Sequence, residues 1–337
     1  GVMQHIEDAG IHSGDSACVL PPYLIDAEHI ETMKQHTVAL ALALGVVGLI
    51  NVQYAVRDDV VYVLEVNPRA SRTIPFVSKA IGVPLASLAA RVMAGETLAQ
   101  VGFTEEIVPP YHSVKEAVFP FTKFREFDPI LGPEMRSTGE VMGIADSFGM
   151  AFAKAQLAAD NALPLSGAIF ITVNDADKPT VVEIAGLFHE MGFTLYATDG
   201  TARYLRGRGI PARAVRKVHE GRPNGIDLMV NREIQLLINT PLGKHAQYDD
   251  YMLRRTAIAQ RVSYTTTMSA AKAAFDAIRA LRSLPPSVRS LQEWHADGRA
   301  ALAAGRLSPG AGTPVADARV PAPDARPRHA RPSEVRP

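Results

Sequence analysis

Two hydrophobic rhythms run along this chain and divide it. Through residues 26–45 apolar side chains recur at helical spacing, and the segment 82–95 repeats that rhythm. Between them, 48–56 and 60–67 are rich in Val, Ile, Leu and Tyr and predict strands. Pro109-Pro110, Pro129 and Pro133 then punctuate a stretch of turns and helix that ends near Leu163. From Gly167 the pattern changes. The nearly continuous apolar run 168–173 predicts a strand covered on both faces, and a helical pattern follows over 178–191. Further strands are predicted at 193–198, 212–215 and 234–239, separated by helix or loop. This alternation predicts a parallel sheet covered by helices, so the expected class is α/β. Val38 to Ile50 is the longest apolar run and falls short of the roughly 20 residues that span a membrane.

A length of 337 residues leaves room for two domains. With 35 Lys and Arg against 35 Asp and Glu, the formal charge is zero, which argues against a chain that coats nucleic acid or an acidic membrane. Cys18 is the only cysteine, so neither an intramolecular disulfide nor a Cys-based zinc cluster is available, and a cytoplasmic setting is expected. The average conceals a shift near Ser308, beyond which Pro, Ala, Gly and Arg dominate. Such a segment buries too little apolar surface to offset its ordering entropy and is expected to be disordered. The opening Gly1-Val2-Met3 reads like the inside of a domain, so the chain is expected to be part of a longer protein.

The most informative stretch runs from Leu49 to Asn67. Two β-rich segments flank Asp58-Asp59 and predict a hairpin. Glu65 and Asn67, two apart on the second strand, leave the same face. A three-residue turn would set Gln53 opposite Glu65 and Asn51 opposite Asn67, whereas a two-residue turn would move Gln53 to the other face. In the first case oxygen-bearing side chains of Gln53, Glu65 and Asn67 converge, a donor set suited to Mg²⁺ that also keeps waters and phosphates. Arg69 and Arg72 follow as donors suited to phosphate.

The run Glu65-Val66-Asn67-Pro68-Arg69-Ala70-Ser71-Arg72-Thr73, continued through Lys79 and Gly82-Val83-Pro84, resembles the metal- and phosphate-binding end of an ATP-grasp domain. More narrowly, it resembles the large subunit of carbamoyl phosphate synthetase. Two other segments resemble the same family: Gly10-Ile11-His12-Ser13-Gly14-Asp15-Ser16, and Leu131-Gly132-Pro133 through Gly143. The resemblance implies a ligase that makes carbamoyl phosphate from bicarbonate, ammonia and two ATP, with ammonia supplied from glutamine by a glutaminase small subunit. It implies that Gln53, Glu65 and Asn67 hold Mg²⁺ or Mn²⁺ against ATP. It further implies that Arg69 and Arg72 face phosphate or phosphorylated substrate, and that Gly10, Ile11, His12 and Ser13 border the nucleotide. Self-association of the large subunit is also expected, with no nucleic-acid or membrane partner.

In the C-terminal half, Ala197-Thr198-Asp199-Gly200-Thr201 sits where a strand gives way to a helix, a place where backbone N–H groups and hydroxyls face anions. Lys217-Val218-His219-Glu220-Gly221-Arg222-Pro223 and Ile238-Asn239-Thr240-Pro241 resemble the methylglyoxal-synthase-like regulatory domain of the same family. The resemblance makes Thr172, Lys178, Thr198, Thr201, Lys217 and Asn239 candidate contacts of a nucleotide effector. It makes Glu7, Asp15, Glu116, Tyr264 and Thr266 candidate contacts of an amino-acid effector. The expected organisation is an ATP-grasp portion over 1–110, a connecting segment over 111–163, the effector domain over 164–295 and a mostly disordered tail over 296–337. The alternative reading is a stand-alone effector-binding module without catalysis.

Overall fold

The computed structural model describes residues 1–121, 129–240 and 247–303. The expected disorder beyond Ser308 lies outside the described residues. The first part of the chain contains β1 (Gln4–His5), β2 (Cys18–Leu20), α1 (Ala27–Ala43), β3 (Asn51–Arg57), β4 (Val60–Asn67), α2 (Ile74–Ile81), α3 (Leu85–Met93) and α4 (Leu98–Val101). It continues with β5 (His112–Val118), β6 (Gly139–Ala145) and α5 (Phe148–Ala158). Strands β1, β2, β5 and β6 form an antiparallel sheet in that order, and β3 pairs with β4 as a separate hairpin.

Residues 111–163, expected to connect two domains, instead complete this first sheet. Strand β5 is buried at five of its seven positions, including Lys115 and Glu116. Two adjacent charges interrupt the apolar pattern that marks a strand, and this hid β5 in the sequence. Its neighbour β6 runs against the backbone of α5. A Cβ at Gly143 would lie 2.1 Å from the carbonyl oxygen of Ala151, so glycine is what allows the two to approach.

The second part contains β7 (Ala168–Val173), α6 (Lys178–Glu190), β8 (Thr194–Thr198), α7 (Asp199–Arg206), β9 (Arg213–Val215) and α8 (Gly225–Val230). It ends with β10 (Leu236–Thr240), α9 (Gln247–Gln260), β11 (Ser263–Thr265), α10 (Met268–Ser283) and α11 (Leu291–Ala303). All adjacent strands of this sheet are parallel, in the order β11-β10-β7-β8-β9, as the alternation of strand and helix predicts. Strand β10 is buried along its whole length, the mark of a strand covered on both faces. One face packs on α6, α7 and α10, and the other packs on α8 and α9.

Helix α10 belongs to two cores. Ala271, Phe275 and Ile278 pack against the parallel sheet, while Ala273 and Ala277 pack with α5 against the antiparallel one. Helices α5 and α10 lie so close that a Cβ at Gly149 would fall 2.5 Å from the carbonyl oxygen of Asp276. Helix α11 folds back onto the first part and runs to Ala303, past the boundary expected near 295. Its Trp294 is buried with Tyr111 and Ile144, and His295 Nε2 lies 2.7 Å from the carbonyl oxygen of Lys79.

Candidate functional site

The hairpin turn holds two residues, Asp58 and Asp59, both with positive φ (51° and 63°). That is the left-handed pair a tight hairpin requires, and Asp tolerates it better than most residues. Arg57 therefore pairs with Val60, and an uninterrupted ladder would put Gln53 out of step with Glu65. A bulge beside Gln53 leaves Leu64 as an extra residue on β4 and restores the register: Gln53 faces Glu65 and Asn51 faces Asn67. The pairing of the three-residue alternative is thus reached through a two-residue turn and a bulge.

Gln53 Nε2 donates to Glu65 Oε2 at 3.0 Å and reaches Ser13 Oγ at 3.4 Å. The loop 10–16 thereby closes on the hairpin face. A third segment joins them. Asp15, buried, accepts from the backbone N–H groups of Arg136 (2.8 Å) and Ser137 (2.9 Å), and His12 N–H donates to Gly132 (2.8 Å). His12 Nδ1 accepts from Gly14 N–H at 3.1 Å, which sets the ring against its own loop. Beneath the loop, Lys115 Nζ donates to the carbonyls of Ser13 (3.2 Å) and Gly14 (3.0 Å). Lys115 is 1% exposed, and nothing in the sequence marked it.

Among the described residues no three His, Cys, Asp or Glu side chains gather as a metal cluster. A cation on the hairpin would rest on the Glu65 carboxylate and the amide oxygens of Gln53 and Asn67. This all-oxygen set, incomplete by itself, fits a hard divalent ion that keeps waters and phosphate oxygens. Gln53 now directs its NH₂ at Glu65, so turning the amide over would present its oxygen instead. Arg69 and Arg72 are exposed just beyond β4. Gly10 and Ile11 precede His12 at the outer end of the loop.

Glu7 and Glu116 lie within electrostatic reach of Lys115. Glu7 accepts from Ala17 N–H at 2.6 Å, and Glu116 accepts from Gln156 Nε2 at 2.7 Å. Burial raises the pKa of both carboxyls. The charge of Glu7 raises Glu116 further, and Lys115 opposes the rise at each. Asp15, grouped with them by the family resemblance, spends its carboxylate on the backbone of 136–137. The pKa of Asp8 is raised by burial and then by the charge of Asp177. Tyr264 lies within β11 and Thr266 just past its end, in the parallel sheet. Ser263 Oγ ties that strand to the carbonyl of Ala162 at 2.8 Å.

The remaining candidates collect at the carboxyl edge of the parallel sheet. Thr172 on β7 and Asn239 on β10 are direct partners in the ladder. Thr198 ends β8, and its hydroxyl donates to Thr201 Oγ1 at 3.4 Å across the first turn of α7. Lys178 opens α6, and exposed Lys217 follows β9. Asn239 is fully buried, with Nδ2 donating to Asp250 Oδ1 (2.8 Å) and Oδ1 accepting from Arg254 Nη1 (2.8 Å). Sequence reasoning missed Asp250 and Arg254, which lie among the charges of α9 where solvated side chains are the rule. Neighbouring Asp249 takes His219 Nδ1 at 2.6 Å, so the first turn of α9 touches both β10 and the segment after β9.

Comparison with known proteins matches these two regions separately. Residues 2–101 match the family "Carbamoyl-phosphate synthase L chain, ATP binding domain", and residues 180–266 match the MGS-like domain family. Over 294 residues the chain is 70% identical to the carbamoyl phosphate synthase large chain of Gemmatimonas aurantiaca, covering 87% of this chain and 27% of that one. It is 53% identical over 295 residues to the large chain of Pseudomonas aeruginosa, covering 88% of this chain and 27% of that one. The large chain of Archaeoglobus fulgidus is 53% identical over 296 residues, with 88% and 28% covered. By these likenesses the chain is similar to carbamoyl phosphate synthase large chains over most of its own length, and it spans about a quarter of the length of the relatives it matches.

Proposed function

We propose that this chain supplies the metal- and phosphate-contacting wall of the carbamate-phosphorylating ATP site of a glutamine-hydrolysing carbamoyl phosphate synthetase, together with its effector domain. The observation that carries this reading is the meeting of Ser13 with Gln53 and Glu65 on one hairpin face. In this reading Gln53, Glu65 and Asn67 hold Mg²⁺ or Mn²⁺, which neutralises charge on the ATP phosphates. Arg69 and Arg72 orient the transferring phosphoryl group, and Gly10 through Ser13 border the nucleotide. Phosphoryl transfer asks for positioning and charge neutralisation more than for covalent help, and these side chains supply both. A glutaminase small subunit delivers the ammonia. The product feeds arginine and pyrimidine synthesis in the cytoplasm, from a self-associating large subunit.

The effector side of the proposal assigns the nucleotide phosphate to Lys178, Thr198, Thr201 and Lys217 at the sheet edge, with Thr172 and Asn239 beneath. It assigns the amino-acid effector to the surroundings of Glu7, Asp15, Glu116, Tyr264 and Thr266. Replacement of Glu65 by Ala in the full-length subunit tests the catalytic part. Carbamate phosphorylation should be abolished and effector binding retained, and unchanged phosphorylation would overturn the metal assignment. ATP formation from ADP, Mg²⁺ and carbamoyl phosphate by the present chain would sink the alternative of an effector module without catalysis.

A further inference from the structure

At the carboxyl edge of the parallel sheet, the ammonium best placed for a phosphate is already in use. Lys178 Nζ lies 2.6 Å from Asp175 Oδ1, 5.9 Å from the centre of the Tyr204 ring, and 3.5 Å from where a Cβ on Gly200 would stand. It therefore sits over the first turn of α7, beside Thr198 and Thr201. The pair is lopsided: the Lys178 side chain is 19% exposed and that of Asp175 is 93% exposed. Asp175 thus caps the cation from the solvent side, the direction from which an anion would arrive.

The loop that carries Asp175 is internally fixed. Asn174 Oδ1 accepts from the N–H groups of Ala176 (2.9 Å) and Asp177 (3.1 Å), and Asn174 Nδ2 donates to Thr240 Oγ1 (3.2 Å). Asp175 is consequently held at the mouth of the edge rather than swept over the surface. Lys178 keeps its carboxyl below the usual carboxylate range, and the charge of Lys217 adds to the effect.

We propose that Asp175 is a built-in competitor for the effector phosphate: its carboxylate neutralises Lys178 in the free protein and must be displaced when a phosphorylated ligand binds. This rests on the effector-site reading given above. The consequence is a threshold. A monoanion gains little by exchanging one carboxylate for another, whereas a dianionic phosphate outcompetes Asp175 by using Lys178 and Lys217 together.

The test measures binding of inorganic phosphate and of ribose 5-phosphate to the purified chain by calorimetry at low ionic strength. Asp175→Asn keeps the shape and removes the charge. It should tighten phosphate binding about two- to fivefold, the size expected for loss of an exposed ion pair, and the gain should shrink in high salt. Asp175→Glu, which keeps the charge, should restore the weaker binding. Lys178→Met should abolish phosphate binding whether residue 175 is Asp or Asn. Loss of binding in Lys178→Met together with unchanged or weaker binding in Asp175→Asn would overturn the competitor role and leave the effector site standing. Undiminished binding in Lys178→Met would overturn the effector site itself, and the competitor with it.

Discussion

Lys115 and Lys178 occupy comparable places, one beneath the loop 10–16 and one at the sheet edge, yet they are used in opposite ways. Lys115 is buried and hydrogen-bonds two carbonyls, and its charge acts on two buried carboxyls. Lys178 is partly open and pairs with a carboxylate that solvent surrounds. The first region is assembled from segments far apart in the chain, so it needs a buried charge to hold them together. The second takes its geometry from parallel strands that end side by side, so Lys178 is not needed to hold it together and pairs with an exposed carboxylate instead.

Removing Lys115 is the strongest way to break this comparison. Lys115→Met leaves Glu7 and Glu116 without the cation that acts on both, and it releases the carbonyls of Ser13 and Gly14. A loss of about 1–3 kcal/mol is expected for leaving those carbonyls without their buried donor, read from the urea midpoint. The pH dependence of stability probes the same corner. The folded-state pKa of Glu116 is raised above its ordinary 4.5, mainly by burial and then by Glu7. The native state therefore holds a proton that the unfolded state releases, and stability should be full below about pH 4.5 and fall as pH rises through neutrality. Urea midpoints at acidic, neutral and mildly alkaline pH should show the fall, and Glu116→Gln should flatten it. Asp250→Asn should have the smallest effect. It removes a charge from the hydrogen bond to Asn239 but keeps an acceptor, costing about 1 kcal/mol of stability. Phosphate binding should change less than twofold, because the strands rather than α9 set the edge. A larger loss would show that the edge, too, depends on a buried polar network.

The same contrast explains what the sequence disclosed. The parallel sheet was legible because strands such as 168–173, covered on both faces, read as apolar runs, and the edge residues follow from where those runs stop. The hairpin and its oxygen-bearing face were legible in residue types but not in register. A two-residue turn alone would have sent Gln53 away from Glu65, and only the bulge at Leu64 brings them together. Strand β5 was illegible because its centre is Lys115-Glu116, a pair that local pattern assigns to solvent. Asp250 and Arg254 were missed for the same reason, since charges on α9 count as core only once their partners on β10 are known.

Helix α10 gives the two halves a shared fate. Ala271, Phe275 and Ile278 are wall to one core while Ala273 and Ala277 are wall to the other, with Gly149 drawn against its backbone. Neither core can open without taking down a side of its neighbour. The amides of α10 should therefore exchange with solvent as slowly as the most protected amides in either sheet, and the two sheets should melt in one transition.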